Sequence, residues 1–297
     1  HVIGDLTSTT FNLKSLISNN NDKENKAVQE YNMPSIFSLD LKTSINSLSY
    51  NNIYPNQVNC HLIYKDNAFS TKDLRMNLLG GQMLFDGKFY KNIENNFKLT
   101  GNIKLENIDV KKTFSAFNNF GQDFIMAKHI KGKSSSSVIC NITLNKFLEM
   151  DLDKINIDSK VSIEKGELID FKPLESLSNY VKLDDLAHIK FSKLENVIKI
   201  KDKIISIPNM EIKSSALSLI ISGKHFFNQE YNYKISLLLS DLLAKRFRKK
   251  ETDFNNQDST SLLKTNLQLR MIGDKENSEI SFEKLKIKEN LKNEIKK

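Results

Sequence analysis

The sequence predicts a mainly β fold, namely one long, curled antiparallel β-sheet with two or three short helices. Apolar and polar residues alternate along most of the 297 residues, which is the pattern of strands with one buried face. Short turns separate these segments at the spacing of an antiparallel meander of roughly 15 to 17 strands. Helical periodicity is rare, whereas a parallel α/β sheet would alternate apolar strands with helices.

The predicted strands follow one another along nearly the whole chain. The clearest alternating segments are residues 37–45, 58–64, 74–78, 83–85, 97–105, 138–144, 198–200, 217–221, 231–239, 267–271 and 280–282. Because no break separates one group of strands from another, we predict a single continuous β region over residues 1–297. The chain begins at His1 rather than at Met, and we expect it to be a fragment of a longer protein.

Two segments within this region have helical spacing. In the first, Asp109 is placed to cap a helix whose Val110, Phe114 and Phe117 share one face. In the second, FKPLESLSNYVKLDDL, Pro173 is suited to the first helical turn. These helices are too short and too few to form a helical layer over the sheet.

A dense basic cluster lies in a third predicted helix, around residues 241–250. Its members are Lys245, Arg246, Arg248, Lys249 and Lys250. They are a candidate contact with anionic lipid head groups, at roughly 1 kcal/mol per basic residue near such a surface. The alternative is a solvated helix end whose basic side chains complement the helix dipole. The polar segments 18–30 and 249–260 are predicted to be mobile loops.

The overall charge also bears on the class of partner. A net charge of +8 permits attraction to nucleic acid or to an anionic membrane surface. However, Lys and Glu are interspersed along most of the chain, as on solvated strand faces. Nucleic-acid modules usually concentrate their charge and add exposed aromatic residues. We therefore predict no nucleic-acid partner.

The two cysteines, Cys60 and Cys140, each lie in register with apolar neighbours of an alternating segment. We interpret them as small buried hydrophobic residues. A disulfide between them stays open as an alternative, since the sequence shows neither a CxxC motif nor metal-type spacing.

Residues with catalytic chemistry are isolated along the sequence. The histidines are His61, His129, His188 and His225, apart from the first residue. They lack metal-ligand spacing, and we interpret each as a surface or turn histidine. Asp184 and Asp185 are interpreted as a helix cap or turn, and GKSSSSV (132–138) as a polar strand start without P-loop spacing. We predict that the chain is not an enzyme and binds no cofactor or metal.

The predicted sheet raises a covering problem. An apolar face must be removed from water, and two or three short helices cannot cover so long a face. A sheet with this many strands must also twist, curl or fold over. It therefore either closes on itself as a sandwich or curls into a trough whose interior meets something else.

A series of motifs runs in order through residues 161–243. They are GEL at 166–168, FKPL at 171–174, Phe191 before LEN at 194–196, IPNM at 207–210, SGKH at 222–225 and YNY at 231–233. Upstream, GGQMLFDGKF (80–89) and GNIKLENIDVKKTFSAFNNFGQDF (101–124) fit the same series. From Met33 to Phe282 the chain resembles the C-terminal region of AsmA-like proteins, in their Bacteroidota-type form.

The resemblance implies a Gram-negative envelope protein that lies in the periplasm and is tethered to the inner membrane by an anchor outside this sequence. AsmA and TamB proteins resemble bridge-like lipid-transfer proteins, whose taco-like β groove is lined by apolar side chains. We expect a non-enzymatic groove that supports phospholipid movement to, and assembly of, the outer membrane. The implied partners are phospholipid acyl chains, a membrane surface and outer-membrane assembly proteins.

The resemblance assigns the apolar positions of the strands to the groove. The predicted lining residues are Val58, Leu62, Met76, Leu78, Met83, Phe85, Phe97, Leu99, Ile103, Ile142, Leu144, Ile198, Ile200, Leu217, Leu219, Ile221, Ile235 and Leu237. The predicted structural turns are at Gly80, Gly81, Gly87, Gly166, Pro173, Pro208 and Gly223. The alternative function is a structural or adaptor module without lipid conduction, in which the sheet closes over a protein-filled interior.

Overall fold

The computed structural model describes residues 1–13, 30–34, 36–172, 174, 183–215, 218–238, 266–275 and 277–282. These residues form one 14-stranded β-sheet in which every strand pairs with the next strand in sequence. The prediction of a mainly β protein with one long sheet is therefore confirmed. The first strand, β1 (Val2–Asn12), and the last, β14 (Ser278–Phe282), lie at opposite edges, so the sheet stays open.

The remaining elements follow in chain order between these edges. The strands are β2 (Leu39–Ser49), β3 (Asn56–Lys65), β4 (Ala68–Leu78), β5 (Gly81–Lys91), β6 (Phe97–Asp109), β7 (Ile130–Leu144), β8 (Asn156–Ile169), β9 (His188–Lys201), β10 (Ile204–Lys213), β11 (Ser218–Phe226), β12 (Tyr231–Leu238) and β13 (Asn266–Gly273). The described helices are α1 (Val110–Ala116) and α2 (Leu183–Ala187), with short 3-10 turns at Asn118–Gly121 and Leu152–Lys154.

The pairing of β1 with β2 is parallel, with Val2 opposite Leu39 and Thr7 opposite Ser44. All other neighbouring strands are antiparallel. The prediction of a wholly antiparallel sheet is thus wrong at this edge. A parallel pair needs a crossover of about a dozen residues or more, and residues 13–38 supply one. Alternation of polar and apolar residues does not encode strand direction.

One face of the sheet carries the alternating apolar side chains, and we call it the apolar face. Phe85 lies opposite Ile103, and Ile103 lies opposite Val138 on the next strand. Residues that lie opposite each other share a face. The other, polar face carries charged side chains such as Lys104 and Lys160. Because the side-chain period is two, the observed register keeps the two sets apart.

Irregular register bends several of the strands. In β4, Lys72 and Asp73 together oppose the single residue Asp86 of β5, which makes a β-bulge. Asp73 has a φ of 54°, and its N–H donates to Asp86 Oδ1 over 2.7 Å. Further register shifts occur between β6 and β7, β7 and β8, and β10 and β11. Bulges of this kind bend a strand and strengthen its local twist.

The hairpin turn between β4 and β5 lies one residue earlier than predicted. Leu79 and Gly80 occupy it with φ of 50° and 81°, the two positive values that a two-residue hairpin of this type requires. Gly81 is already the first residue of β5. A Cβ on Gly81 would lie 2.2 Å from the carbonyl oxygen of Glu106, so this glycine permits the close approach of β6.

Several residues that were predicted to form turns lie inside strands. Gly87 is in β5, Gly166 in β8, Pro208 in β10 and Gly223 in β11. Pro208 falls in the register shift of β10, where a strand tolerates the missing N–H. The glycines sit where a neighbouring ring or backbone leaves no space for a Cβ. Pro173 lies outside the described residues.

The first predicted helix is present as α1. Asp109 caps it, since its carboxylate accepts from the Lys112 N–H over 3.0 Å, and Val110 is buried. Phe117 departs from the predicted buried face: it follows the last helical turn and is 45% exposed. Of the second predicted helix only the end, α2, is described. The third, with the basic residues 245–250, lies outside the described residues.

The densest packing lies at the C-terminal end of the apolar face. We call this cluster the C-terminal core, formed by Phe171, Leu174, Leu186, Ile189, Leu219, Tyr231, Tyr233, Ile235, Leu237, Leu269 and Met271. The side chains of Phe171, Leu174 and Leu186 come from the β8–β9 connection. Phe124, from the β6–β7 connection, packs against the core, with its ring centroid 4.5 Å from that of Tyr231. Two connections therefore cover this end of the sheet.

Candidate functional site

The register brings the predicted lining residues onto one face. Those on the apolar face are Val58, Leu62, Met76, Leu78, Met83, Phe85, Phe97, Leu99, Ile103, Ile142, Leu144, Ile198, Ile200, Leu219, Ile221, Ile235 and Leu237. Leu217 lies outside the described residues. Their shared face is a structural finding, while their contact with lipid stays a prediction.

The middle of the apolar face is only partly covered. We call this part the open region; it comprises Met76, Met83, Phe85, Leu99, Ile103, Ile142, Ile198 and Ile200 on strands β4 to β9. All of these large apolar side chains are half-buried. In a closed β-sandwich, the residues at the middle of the inner face would pack against a second sheet. Among the described strands, the main contacts run only between sheet neighbours.

The C-terminal end of the same face is covered by protein instead. Leu219, Ile235 and Leu237 are 4%, 1% and 0% exposed and belong to the C-terminal core. Val58 and Phe97 are likewise only 4% and 1% exposed. The expectation that these five residues line an accessible groove is therefore wrong. The period-two alternation of the sequence placed Leu219, Ile235 and Leu237 on the apolar face correctly. It could not show that the β6–β7 and β8–β9 connections return to cover that end of the face.

A second segment covers part of the apolar face, at the end of the sheet opposite α1. We call it the strap, residues 30–34 and 36–37. The Tyr31 N–H donates to the carbonyl of Lys146, beyond the end of β7, over 3.0 Å. The Pro34 carbonyl accepts from the hydroxyl of Tyr64 in β3, and the Phe37 ring lies 5.3 Å from the Tyr64 ring. The strap thus reaches from β7 to β3. Its sequence has no strand or helix periodicity from which this position could have been predicted.

The apolar face becomes polar towards its α1 end. Ser134 and Ser136 of β7 lie opposite Ile108 and Leu105, and Asn196 of β9 lies opposite Val161. We call Ser134, Ser136 and Asn196 the polar strip. The segment 132–138 forms part of β7, as its interpretation as a strand start required. The open region is therefore bounded by hydrogen-bonding groups on one side and by the strap on the other.

Both cysteines lie on the apolar face and are free thiols. Cys140 is 4% exposed, and its Sγ lies 3.5 Å from the Gly101 carbonyl oxygen. Cys60 is half-buried. Burial raises the pKa of both thiols, which keeps them protonated. Their interpretation as small apolar side chains agrees with these positions.

The histidines differ in their surroundings. His61 lies 2.6 Å from Asp40 Oδ1, and His188 lies 2.9 Å from Glu167 Oε1, both on partly exposed surfaces. His225 is only 8% exposed, so its interpretation as a surface or turn histidine is wrong. It belongs to strand β11 and faces the aromatic side chains around Tyr233. Burial lowers the pKa of His225.

The described residues contain no group of three or more His, Cys, Asp or Glu side chains arranged to hold a metal ion. In that same part of the chain, no helix is both long enough and apolar enough to cross a bilayer. The candidate functional site among the described residues is the open region with its polar strip.

No family model matches the chain, and no curated protein or solved structure shows significant similarity to it. The resemblance to AsmA-like proteins consequently stays a hypothesis that rests on the ordered motifs.

Proposed function

We propose that this chain is a non-enzymatic lipid-binding module whose sheet curls into a taco-like groove for phospholipid acyl chains. The observation that supports the proposal is the half-buried state of the large apolar side chains in the open region. Acyl chains suit such a surface because they are apolar and need no hydrogen-bond partners. The polar strip would lie beside the head groups, which need hydrogen bonds.

The energetics favour an apolar ligand for the open region. Full burial of one Leu, Ile, Phe or Met side chain contributes about 1.5–3 kcal/mol. Each of these eight side chains is exposed by no more than about a third, so the unused part is at most on the order of 4–9 kcal/mol. An acyl chain that entered the groove would gain about 0.8 kcal/mol per buried CH₂. Lipid binding therefore completes a core that the protein leaves incomplete.

We further propose a place for the chain in the Gram-negative envelope. It would lie in the periplasm, tethered to the inner membrane in the full-length protein, and support phospholipid movement to, and assembly of, the outer membrane. Outer-membrane assembly proteins and a membrane surface would be its partners. The support for this placement is the ordered motif series from Met33 to Phe282.

The test is native mass spectrometry and lipid extraction of gently purified protein. We expect phospholipid to co-purify with the wild type and to return after delipidation. Ile103→Glu should abolish uptake, because Ile103 lies in the middle of the open region between Phe85 and Val138. A charge there would have to be buried against acyl chains, which is strongly unfavourable.

Ile139→Glu is the matched control. Ile139 lies opposite Asn102 on the polar face and is 63% exposed, so this variant should keep its lipid. Circular dichroism must show that both variants are folded. A folded, delipidated wild type that takes up no phospholipid would contradict the proposal and favour the structural or adaptor alternative.

A further inference from the structure

The β6–β7 connection contains a left-handed turn of four consecutive residues. Asn118, Asn119, Phe120 and Gly121 have φ of 48°, 51°, 56° and 68°. Residues other than glycine enter this region rarely and usually singly, and a bulky phenylalanine is among the least suited. Such strain persists only where the surroundings enforce it, and it clusters at functional positions.

Hydrogen bonds with neighbouring residues hold the turn in its left-handed conformation. The Asn119 carbonyl accepts from the Gln122 backbone N–H over 3.2 Å and from Gln122 Nε2 over 2.9 Å. The Asn119 side-chain oxygen accepts from the Ala127 N–H over 2.8 Å. Three hydrogen bonds on one residue hold the left-handed conformation in place. The turn is therefore a fixed feature of this end of the sheet.

The turn presents aromatic side chains to solvent. The Phe117 and Phe120 rings stack at 5.5 Å with planes 9° apart, and Phe114 meets Phe120 edge-on at 5.2 Å. Phe117 and Phe120 remain 45% and 58% exposed. We call these three residues the aromatic knob. Stacking joins the rings into one rigid apolar projection rather than scattered exposed side chains.

Positive charge surrounds the aromatic knob. Residues 110–129 contain Lys111, Lys112 and Lys128, all exposed, but only one acidic residue, Asp123. Lys111 and Lys112 form no ion pair in the described part of the chain, although the Asp109 carboxylate at the start of α1 lies near Lys112 and pairs with Lys133 over 3.4 Å. Tyr54, 69% exposed, lines the same cavity as Lys112 at this sheet end. Tyrosine and lysine beside exposed apolar side chains are typical of membrane interfaces.

The opposite end of the sheet differs in charge. Ile93 and Met150 are also exposed there, at 104% and 58%. However, several of the neighbouring lysines lie beside acids: Lys154 lies 3.9 Å from Glu94 Oε2, and two other lysines at this end form similar pairs. Among the described residues, the α1 end combines a stacked, exposed aromatic cluster with lysines that form no ion pair.

We propose that the aromatic knob, with Lys111, Lys112 and Lys128, is a membrane contact that inserts into the head-group region of an anionic bilayer. The rings supply apolar area, and the lysines supply attraction to the negative surface. The contact is separate from the open region and does not require the groove to hold lipid.

The chain contains no tryptophan, so Phe120→Trp introduces a single fluorescent reporter at the knob. With vesicles of phosphatidylglycerol and phosphatidylcholine, we expect a blue shift of its emission and quenching by brominated acyl chains. With pure phosphatidylcholine vesicles or at high salt the shift should be smaller, since the lysine attraction is lost or screened. Ile139→Trp, on the polar face of β7, should show no shift.

Vesicle co-sedimentation of the full chain provides the second test. Phe117→Ser/Phe120→Gly should weaken binding to anionic vesicles roughly tenfold or more, since two inserted rings are lost. Phe120→Gly also relieves the left-handed strain, so loss of binding cannot be ascribed to misfolding if the melting temperature is unchanged or higher.

The same experiment separates this contact from the groove. The knob variant should still take up phospholipid, whereas Ile103→Glu should lose uptake and still sediment with vesicles. An unshifted Phe120→Trp emission, or equal sedimentation of wild type and knob variant, would overturn the proposal. Either result would leave the lipid-uptake measurement to decide the proposed function independently.

Discussion

The ring of Phe85 lies across Gly87 and Gly101, which face each other on β5 and β6. A Cβ on Gly87 would lie 2.4 Å from Phe85 Cζ, and a Cβ on Gly101 would lie 2.5 Å from Phe85 Cε2. The ring thus supplies the apolar surface that the glycines lack. In the sequence these glycines suggested turns or bends, whereas in the structure they make room for a neighbouring aromatic side chain.

Gly101→Ala should therefore lower the free energy of unfolding by about 1–3 kcal/mol, because the methyl group overpacks the site. Urea denaturation measures the change. Gly4→Ala is the matched control, since a Cβ there meets its nearest neighbour, Leu41 Cδ2, at 3.8 Å. We expect the control to stay within about 0.5 kcal/mol of the wild type. Equal losses in both variants would contradict the packing explanation.

His225 is the second residue whose role depends on its surroundings. Its Nδ1 lies 3.4 Å from the Tyr233 hydroxyl, and its Nε2 is buried without a hydrogen-bond partner among the described residues. Burial lowers the pKa of His225, and burial, followed by the charge of Lys128, lowers the pKa of His129. Both rings therefore favour the neutral form in the folded protein.

The sign of the pH dependence follows from this preference. Below the ordinary histidine pKa of 6.5, the unfolded chain binds protons that the folded chain does not. The contribution of these two histidines to the free energy of unfolding should therefore be fully present above pH 6.5. It should be lost as the pH falls below that value towards the lowered pKa of the folded state. Urea midpoints at a series of pH values measure this slope.

His225→Gln should flatten the slope, because it removes one titrating group and keeps a polar side chain near Tyr233. If His225→Gln retained the full wild-type slope, the burial of His225 would not be the cause of the pH dependence of stability.

At the scale of elements, the connections are as important as the strands. The β6–β7 connection begins at α1 and reaches β11 and β12, where Phe124 packs against Tyr231. Gln229 Nε2, in the β11–β12 turn, lies 3.5 Å from the Gly121 carbonyl oxygen. These residues are about a hundred positions apart, so no local pattern could predict the contact. The connection covers the C-terminal core and ends the open region.

Phe124→Ala should destabilise the protein by about 1–3 kcal/mol, since the truncation of a partly buried phenylalanine that packs against the C-terminal core removes apolar contacts. Phe117→Ala is the control: its ring is 45% exposed, and we expect a loss below about 1 kcal/mol. Denaturation gives both values, and hydrogen exchange should locate the change in β11 and β12. A loss in Phe117→Ala as large as in Phe124→Ala would contradict this assignment of the cover.

At the scale of the whole molecule, one apolar face is covered by protein in some parts and only partly covered in others. The C-terminal core and the strap cover its ends, and the open region is left half-buried. A ligand that binds only the folded state raises its stability by mass action. The proposed acyl chains would therefore act as the missing part of the hydrophobic core.

Delipidated protein should consequently melt at a lower temperature than the lipid-loaded form, and phospholipid should restore the higher value. At a free ligand concentration of about 100 times Kd, the expected gain is about 2.7 kcal/mol. Ile103→Glu should melt at the same temperature with and without phospholipid, whereas Ile139→Glu should respond like the wild type. A lipid response in Ile103→Glu would place the binding surface elsewhere.

Much of the sheet could be predicted from period-two alternation. The pairs Met76–Met83 and Phe85–Ile103 lie directly opposite each other on adjacent strands and therefore share a face, as the alternation predicted. The prediction of turns at Gly166 and Gly223 was wrong, since both lie inside strands and a glycine that makes room for a ring looks the same in sequence as a glycine in a turn.

The sequence by itself determined which residues occupy strands and which face of the sheet is apolar, because the pleat alternates side chains with a period of two. Only the tertiary structure decided which parts of that face are covered. The direction of β1, the burial of Leu237 and His225, and the exposure of Phe120 all depend on where connections return after long stretches of chain. Local periodicity carries no information on such contacts, because they form between segments that are distant in sequence and close only in the folded protein.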